Sequence, residues 1–384
     1  MAIPTLTMIP SGYKAGTLYS VLPTNGDGDF TTTRTSSATR VNKSGLIETV
    51  LSNVPRLDYS DGSCPSLLLE PESTNYATNS NNISVWNNLT QNGSITSTAN
   101  YSTAPDGTQT ASRLQMSVNG SGYALKSKST TSIIGDYVAS VYLKTTSGNT
   151  QNVCAAGRGS IQDVFSVTGE WQRFEINGNA TNGLSSYFNL GVYTSFAGAD
   201  NPIDILAWGG QIEAGTRASS YIPTTTSAVT RNADTCFGAG NINVFNDSEG
   251  ILFFKTATRY FGSSYYLSLS NGSTSNRILF RFTSTTQIRL TIISNNSSSV
   301  DQYVNVPNIT QYNNYAIKYK QNDFALWVNG SEVATDTSGN TPINLSEFAF
   351  DSGNGTLPFA GNVKDVRYYN TALTDAELQE LTTI

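Results

Sequence analysis

The chain contains no histidine. That removes Ser-His-Asp and Cys-His nucleophilic catalysis, histidine-ligated metals and imidazole proton shuttles together. Any catalysis would have to rest on carboxylates, as in glycosidases. Charge is scarce: Asp, Glu, Lys and Arg make up 13% of the 384 residues, against roughly 25% in ordinary domains. The net charge is −6 and no Lys/Arg cluster stands out, so the basic face that a nucleic-acid binder needs is missing. Cysteines number three, Cys64, Cys154 and Cys236. Odd in number and far apart, they form neither a disulfide framework nor a zinc spacing, and small buried hydrophobes are expected. No apolar run reaches the ~18 residues of a membrane helix. The opening MAIPTLTMIPSGYKAG lacks a basic n-region and an apolar h-region, so no ordinary secretory signal is expected.

In place of charge the chain has Ser, Thr, Asn and Gly, together with 20 Tyr and 16 Phe. β-Branched and aromatic residues suit pleated surfaces, while Asn and Gly supply turn backbones. The aromatics and repeated Val/Ile/Leu runs carry enough burial to exclude disorder. The Asn-x-Ser/Thr sequons, such as the one at Asn88, follow from composition. They matter only in a eukaryotic secretory context.

The expected fold class is all-β, an irregular N-terminal anchor region followed by two antiparallel β-sandwich (jelly-roll) domains. Residues 1–77 are punctuated by Pro and Gly, with strand-like pieces at 17–22 and 45–50 and an apolar run at Leu67, Leu68 and Leu69. They read as a segment packing on a partner or on its own copies; a small all-β cap on the next domain is the competing reading. Residues 78–234 alternate with period two at 140–144, 171–176 and 187–193, a pattern of half-buried strands, and end in a polar joint at 224–234. In 235–384, strands are expected at 250–256, 265–270, 278–283, 287–293, 315–320, 324–328 and 363–368. Tight turns at Asn271-Gly272, Asn322-Asp323 and Asn329-Gly330 separate some of them. Thr374-Asp-Ala-Glu377 reads as a capping box opening a short helix.

Three resemblances add to this. Residues 10–71, from PSGYKAGTLYSVLPTNGDGDF through FTTTRTSSATRVNKSGLIETVLSNVPRLDYSDGSCPSLLLEP, resemble a segment near the start of virion fibre and appendage proteins of tailed bacteriophages, including crAss-like phages. Trp86, the 104–111 segment APDGTQTA, the 169–174 segment GEWQRF, and the closing runs GGQIEAG and ASSYIPT resemble carbohydrate-binding-module-like jelly rolls. FALWVNG at 324–330, followed by FAGNVKDVRYYN at 359–370, resembles the laminin G-like, concanavalin-type lectin fold over residues 245–384.

For glycan binding, an exposed aromatic stacks on a sugar while amides or carboxylates fix its hydroxyls. The candidates are Tyr260, Tyr266 (pointing outward if Tyr265, Leu267 and Leu269 point inward) and Trp86. The competing reading buries these rings in the core or a subunit seam. Concanavalin-type hydrolases carry a Glu-x-Asp-x-x-Glu run, and none occurs here. Asp204, Glu213, Asp323, Glu347 and Asp365 stand isolated and read as turn, edge or surface residues. No cofactor is expected. A structural calcium ion would draw on Asp351 and Asn354, or on Asn246 and Asp247, but both pairs read first as Asx turns. Arg34, Arg40 and Arg56 are unusual in so uncharged a chain. Arginine suits bidentate contact with carboxylates or carbonyls, so an assembly role is expected, with plain solvation as the competing reading.

The resemblances imply a non-enzymatic structural protein of a tailed-phage virion, a head fibre or tail-associated fibre, made in the bacterial host cytoplasm and carried on the particle surface. Its N-terminal region would dock on capsid or tail proteins, its lectin-like domains would adhere to host or environmental glycans, and homotrimeric assembly is expected. Neither nucleic acid nor a membrane span is expected. The alternatives are a polysaccharide depolymerase tailspike and a free carbohydrate-binding lectin.

Overall fold

Along Gln287–Ser294 every second residue is buried, from Ile288 to Ser294; this is the period of a strand with one face on a core. The computed structural model describes residues 2–159, 161–181 and 184–384. Strands of this kind build two compact units. One comprises residues 1–45, 50–71 and 232–384, the other residues 46–49 and 72–231.

In the first unit a five-stranded antiparallel sheet runs in the order Ser297–Asn305, Gln287–Ser294, Arg277–Ser284, Tyr266–Ser270 and Glu347–Ala349. An eight-stranded sheet runs Ser331–Asp336, Phe324–Val328, Asn313–Lys320, Glu249–Ala257, Gly361–Tyr369, Ser66–Leu69 and Leu57–Asp58, with Leu6–Met8 also paired to Gly361–Tyr369. Their facing side chains form one core, centred on a stack of Phe254, Phe280, Phe282 and Tyr315. The other face of the larger sheet is covered as well. The helix Asp375–Thr382 lays Leu378 and Leu381 against Phe253, Ala316 and Trp327, which is why Phe324–Val328 is apolar at every position. The capping box expected at Thr374 and Glu377 is present. Asn329 and Gly330 both take positive φ, 50° and 80°, as the tight hairpin turn there requires.

The N-terminal residues do not stand apart. Leu6, Met8, Leu18, Phe30, Leu57 and Leu67 belong to the same core as Phe280 and Leu290, and Phe30–Thr33 pairs with Thr235–Phe237. The compact units therefore divide the chain differently from the expected 1–77, 78–234 and 235–384. Too little apolar pattern lies within 1–77 for a core of its own, and its side chains are buried by completing a sheet that the C-terminal residues leave unfinished.

In the second unit, one eight-stranded sheet runs Ile161–Val167, Gln151–Gly157, Ser186–Tyr193, Ala111–Thr130, Ile203–Ala214, Gly135–Thr145 and Gln172–Ala180, with Asn87–Ser102 alongside Ala111–Thr130. The long central strand pairs with Ile203–Ala214 through residues 112–116 and with Ser186–Tyr193 through 123–130. Gly120 and Gly122 stand between those two stretches at φ 73° and 158°. The sheet curls until its two end strands face each other, Phe165 stacked on Phe174 with centroids 4.8 Å apart.

Candidate functional site

Where the Glu347–Ala349 strand leaves the five-stranded sheet, the chain turns sharply at Asp351. The Asp351 carboxylate accepts a hydrogen bond from the Gly353 backbone N–H at 2.6 Å, and the amides of Gly355 and Asn354 add to the stabilisation of its charge. Gly353 and Gly355 adopt φ of 84° and 77°, the left-handed backbone that lets successive amides wrap around one anion and that a Cβ disfavours. Asn354 is locked too. Its Oδ1 accepts from Ser352 Oγ and Thr356 Oγ1, both at 2.7 Å, and its NH2 has no partner among the described residues.

This turn forms one wall of a cavity of about 470 Å³. Glu347, Asp351, Asn354, Gly355 and Pro358 line one side, Gly272 adds a backbone edge, and Thr33, Thr235 and Phe237 complete it. Thr33 and Thr235 are register partners whose hydroxyls lie 2.6 Å apart. Glu347 Oε1 accepts from the Gly238 N–H at 2.8 Å. Burial pushes the carboxyl of Glu347 above its ordinary range, partly offset by the Gly238 amide and reinforced by the charge of Asp351. Burial also raises that of Asp351, against the pull of its three amides. The cavity thus offers carboxylate acceptors, an amide donor, two hydroxyls and a half-buried aromatic side chain. Such a mixture suits a polyol of saccharide size.

None of the six residues expected to bind glycan or to serve assembly lines this cavity; Glu347, read from sequence as an isolated acid, and Asp351 and Asn354, read as an Asx turn or a calcium loop, do. Trp86 is a correction. It is 3% exposed and packs edge-on to Phe188 within the core of the second unit. The turn Ile83–Val85 that precedes it tucks the indole against Gly210, where a Cβ would come within 2.4 Å of the ring. Tyr266 does point away from the core, as alternation with the buried Leu267 and Leu269 requires. Tyr260 is half-buried, and its ring meets Tyr265 at 5.5 Å.

Arg34 and Arg56 are corrections of the same kind. Both are buried in ion pairs within the first unit, Arg34 with Asp234 at 2.8 Å and Arg56 with Glu70 at 2.7 Å and with Asp234. Burial alone would lower the Arg56 pKa; the charges of Asp234 and Glu70 outweigh it and hold the guanidinium firmly protonated. The carboxylate and carbonyl contacts anticipated for these arginines are made inside the chain, Arg56 dividing its two terminal nitrogens between Glu70 and Asp234 and Arg34 giving Nη2 to the Leu51 carbonyl. Arg40 is half-buried over the Tyr13 ring at 5.7 Å.

The two candidate calcium loops hold backbone amides. Asn246 Oδ1 accepts from Ser248 N, and Asp247 accepts from Asn344 N and Leu345 N at 2.6 and 2.9 Å. Among the described residues no group of three or more His, Cys, Asp or Glu side chains converges. Of the isolated acids, Glu213 is buried rather than superficial, bonded to Ser73 Oγ at 2.6 Å and to the Ser219 N–H at 3.1 Å. Cys154 and Cys236 are buried as expected, whereas Cys64 is exposed.

Residues 251–379 match the Laminin_G_3 family, described as the concanavalin A-like lectin/glucanases superfamily. This part of the first unit is therefore a lectin-like sandwich, and it contains Glu347, Asp351 and Asn354. No curated protein matches the chain. Among solved structures, the chain is similar to the CBM40 module of the Ruminococcus gnavus IT-sialidase bound to α2,3-sialyllactose, at 18% identity and TM-score 0.33 over 37% of this chain and 86% of that one. It is also similar to domain 4 of the Geobacillus stearothermophilus GH43 arabinanase AbnA in complex with arabinotriose, at 13% identity and TM-score 0.32, over 44% and 84%. A third is a SAP-like pentraxin of Limulus polyphemus, at 15% identity and TM-score 0.27, over 34% and 68%.

Proposed function

We propose that this protein binds glycans without cleaving them, and that the cavity at Glu347, Asp351 and Asn354 is its saccharide site. The observation that carries the reading is the donor and acceptor set of that cavity, built on a lectin-like sandwich. Asp351 speaks against hydrolysis. A carboxylate that accepts the Gly353 amide of its own turn, with the amides of Gly355 and Asn354 also stabilising its charge, is committed to fixing the loop, whereas glycoside cleavage needs two carboxyl groups free to exchange a proton or attack. The test is a neutral-glycan array followed by titration calorimetry. Binding that Glu347→Gln weakens at least tenfold, with no shortening of the oligosaccharide on incubation, is the expected result. Release of reducing ends would return the depolymerase reading.

The setting we propose is the surface of a tailed-phage particle, in a symmetric fibre. The resemblance of residues 10–71 to phage appendage segments supports it. So do Tyr19, Val21 and Leu51, which leave apolar side chains exposed within these residues, and Ile3 and Ile9 just before them; contacts to capsid or tail proteins would use them rather than Arg34 and Arg56. A fibre multiplies weak sugar sites into avidity. Mass spectrometry of purified particles, with the density located by electron microscopy, decides between this setting and a free lectin: the fibre reading expects stoichiometric protein on virions.

A further inference from the structure

Across the outward face of the five-stranded sheet runs a row of four residues in register: Tyr266 opposite Arg281, Arg281 opposite Arg289, and Arg289 opposite Tyr303. Their chain neighbours Leu267, Phe280 and Leu290 lie in the core, so the row belongs to the other face, and Tyr303 is 56% exposed. Like charges placed directly opposite on adjacent strands repel. One carboxylate stands beside this pair, Asp301, and Arg289 takes both of its oxygens, through Nε and Nη2, each at 2.6 Å.

Arg281 has no ion pair among the described residues. Its Nη1 donates to Tyr266 Oη at 3.0 Å and its Nη2 to Tyr303 Oη at 3.4 Å, while its Nε is buried without an acceptor. The guanidinium groups lie over the phenol rings, Arg281 at 5.5 Å from the Tyr266 centroid and Arg289 at 5.0 Å from that of Tyr303. Arg277, on the same face of the same strand, gives Nη1 to the Ser352 carbonyl. Arg281 and Arg289 therefore have one aspartate between them, on a chain whose net charge is −6.

The hydrogen-bond directions say what is missing. Arg281 can only donate, so both phenol oxygens act as acceptors toward it, and each phenol keeps its own hydrogen to give elsewhere. The second hydrogens on Nη1 and Nη2 also remain. Donors are in surplus and a negative charge is short, which is the complement of a carboxylate or sulfate group.

We propose that the row Tyr266–Arg281–Arg289–Tyr303 is a second binding site, one that receives the carboxylate or sulfate of an acidic saccharide. The anion follows from the row itself; the saccharide rests on the lectin-like reading of the domain. It is separate from the cavity at Glu347, so the two fail independently.

The test uses the full chain on an array of uronate-, sialate- and sulfate-bearing oligosaccharides beside their neutral parents, followed by titration of the strongest acidic probe. Acidic probes should bind at least tenfold more tightly than the parents, more weakly as salt rises. Arg281→Gln should remove that preference, and Arg281→Lys should keep part of it. Carboxylate probes outranking sulfate ones, or the reverse, would name the group. Absence of acidic preference, absence of all binding, or equal binding by an Arg281→Gln protein with an unchanged melting temperature would each overturn the proposal.

Discussion

Arg56 and Asp234 stand 178 positions apart in the chain and meet in an ion pair from which solvent is excluded on the arginine side. Asp234 also accepts from Arg34 and from the Glu70 backbone N–H. Removing one member of such a pair leaves a buried charge without its partner. Asp234→Ala should therefore cost on the order of 3–5 kcal/mol, read as a lower urea midpoint at unchanged slope. A stability loss below ~1 kcal/mol would show that the pair is not buried as described.

The loop at Asp351 separates two causes of strain. At Gly355 (φ 77°) a Cβ would meet nothing within 4 Å, so Gly355→Ala should cost only the backbone conformation, about 1 kcal/mol. At Gly353 (φ 84°) the same Cβ would come within 2.9 Å of Ser270 Cβ. Gly353→Ala should be the costlier of the two and should also weaken sugar binding, because the loop must shift. Denaturation and titration of both variants check the order.

Glu347 and Asp351 give the site a pH signature. Burial raises both carboxyl pKa values in the folded state. Over the window from the ordinary carboxylate pKa up to the raised folded value, the native chain holds more protons than the unfolded one, so stability falls as pH rises through it. Glu347→Gln should flatten that decline, since an amide does not ionise and its Oε1 can still accept from Gly238. Denaturant midpoints from pH 4 to 8 test the sign. The difference between wild type and variant isolates Glu347, and a difference that grows in the wild type's favour as pH rises would contradict the sign.

Trp86 should behave as a packing residue. Trp86→Ala would empty a space walled by Phe188 and Gly210, at about 3–5 kcal/mol. Glycan binding by the first unit should persist at temperatures where the variant remains folded. A variant of wild-type stability with lost binding would return the indole to the surface role.

The strands of the lectin-like unit were legible because their periodicity is local. The expected 287–293 and 324–328 strands appear as Gln287–Ser294 and Phe324–Val328, and the capping box at Thr374 lies within four consecutive residues. Ser297–Asn305 escaped notice because its serines and polar residues mask the alternation carried by Val300 and Val304. The cavity left only a partial local trace: Glu347, Asp351 and Asn354 stood out in sequence for other roles, but Thr33 lies far from them in the chain and reaches the same space through the pairing of Phe30–Thr33 with Thr235–Phe237. Trp86 and the arginines show a different limit. Residue type told that an indole or guanidinium would find a partner, but not whether that partner would be a ligand, another chain or this one.

Leu6 pairs with Tyr368 across almost the whole length of the polypeptide. During synthesis Leu6 leaves the ribosome long before Tyr368 is made, so the two meet late. The residues of 72–231 have emerged in full by then and can fold first, while the earliest strands wait uncovered. Closing the larger sheet is thus a late, long-range event, of the sort that makes folding slow, and a fragment beginning at residue 232 would lack two strands that flank Gly361–Tyr369.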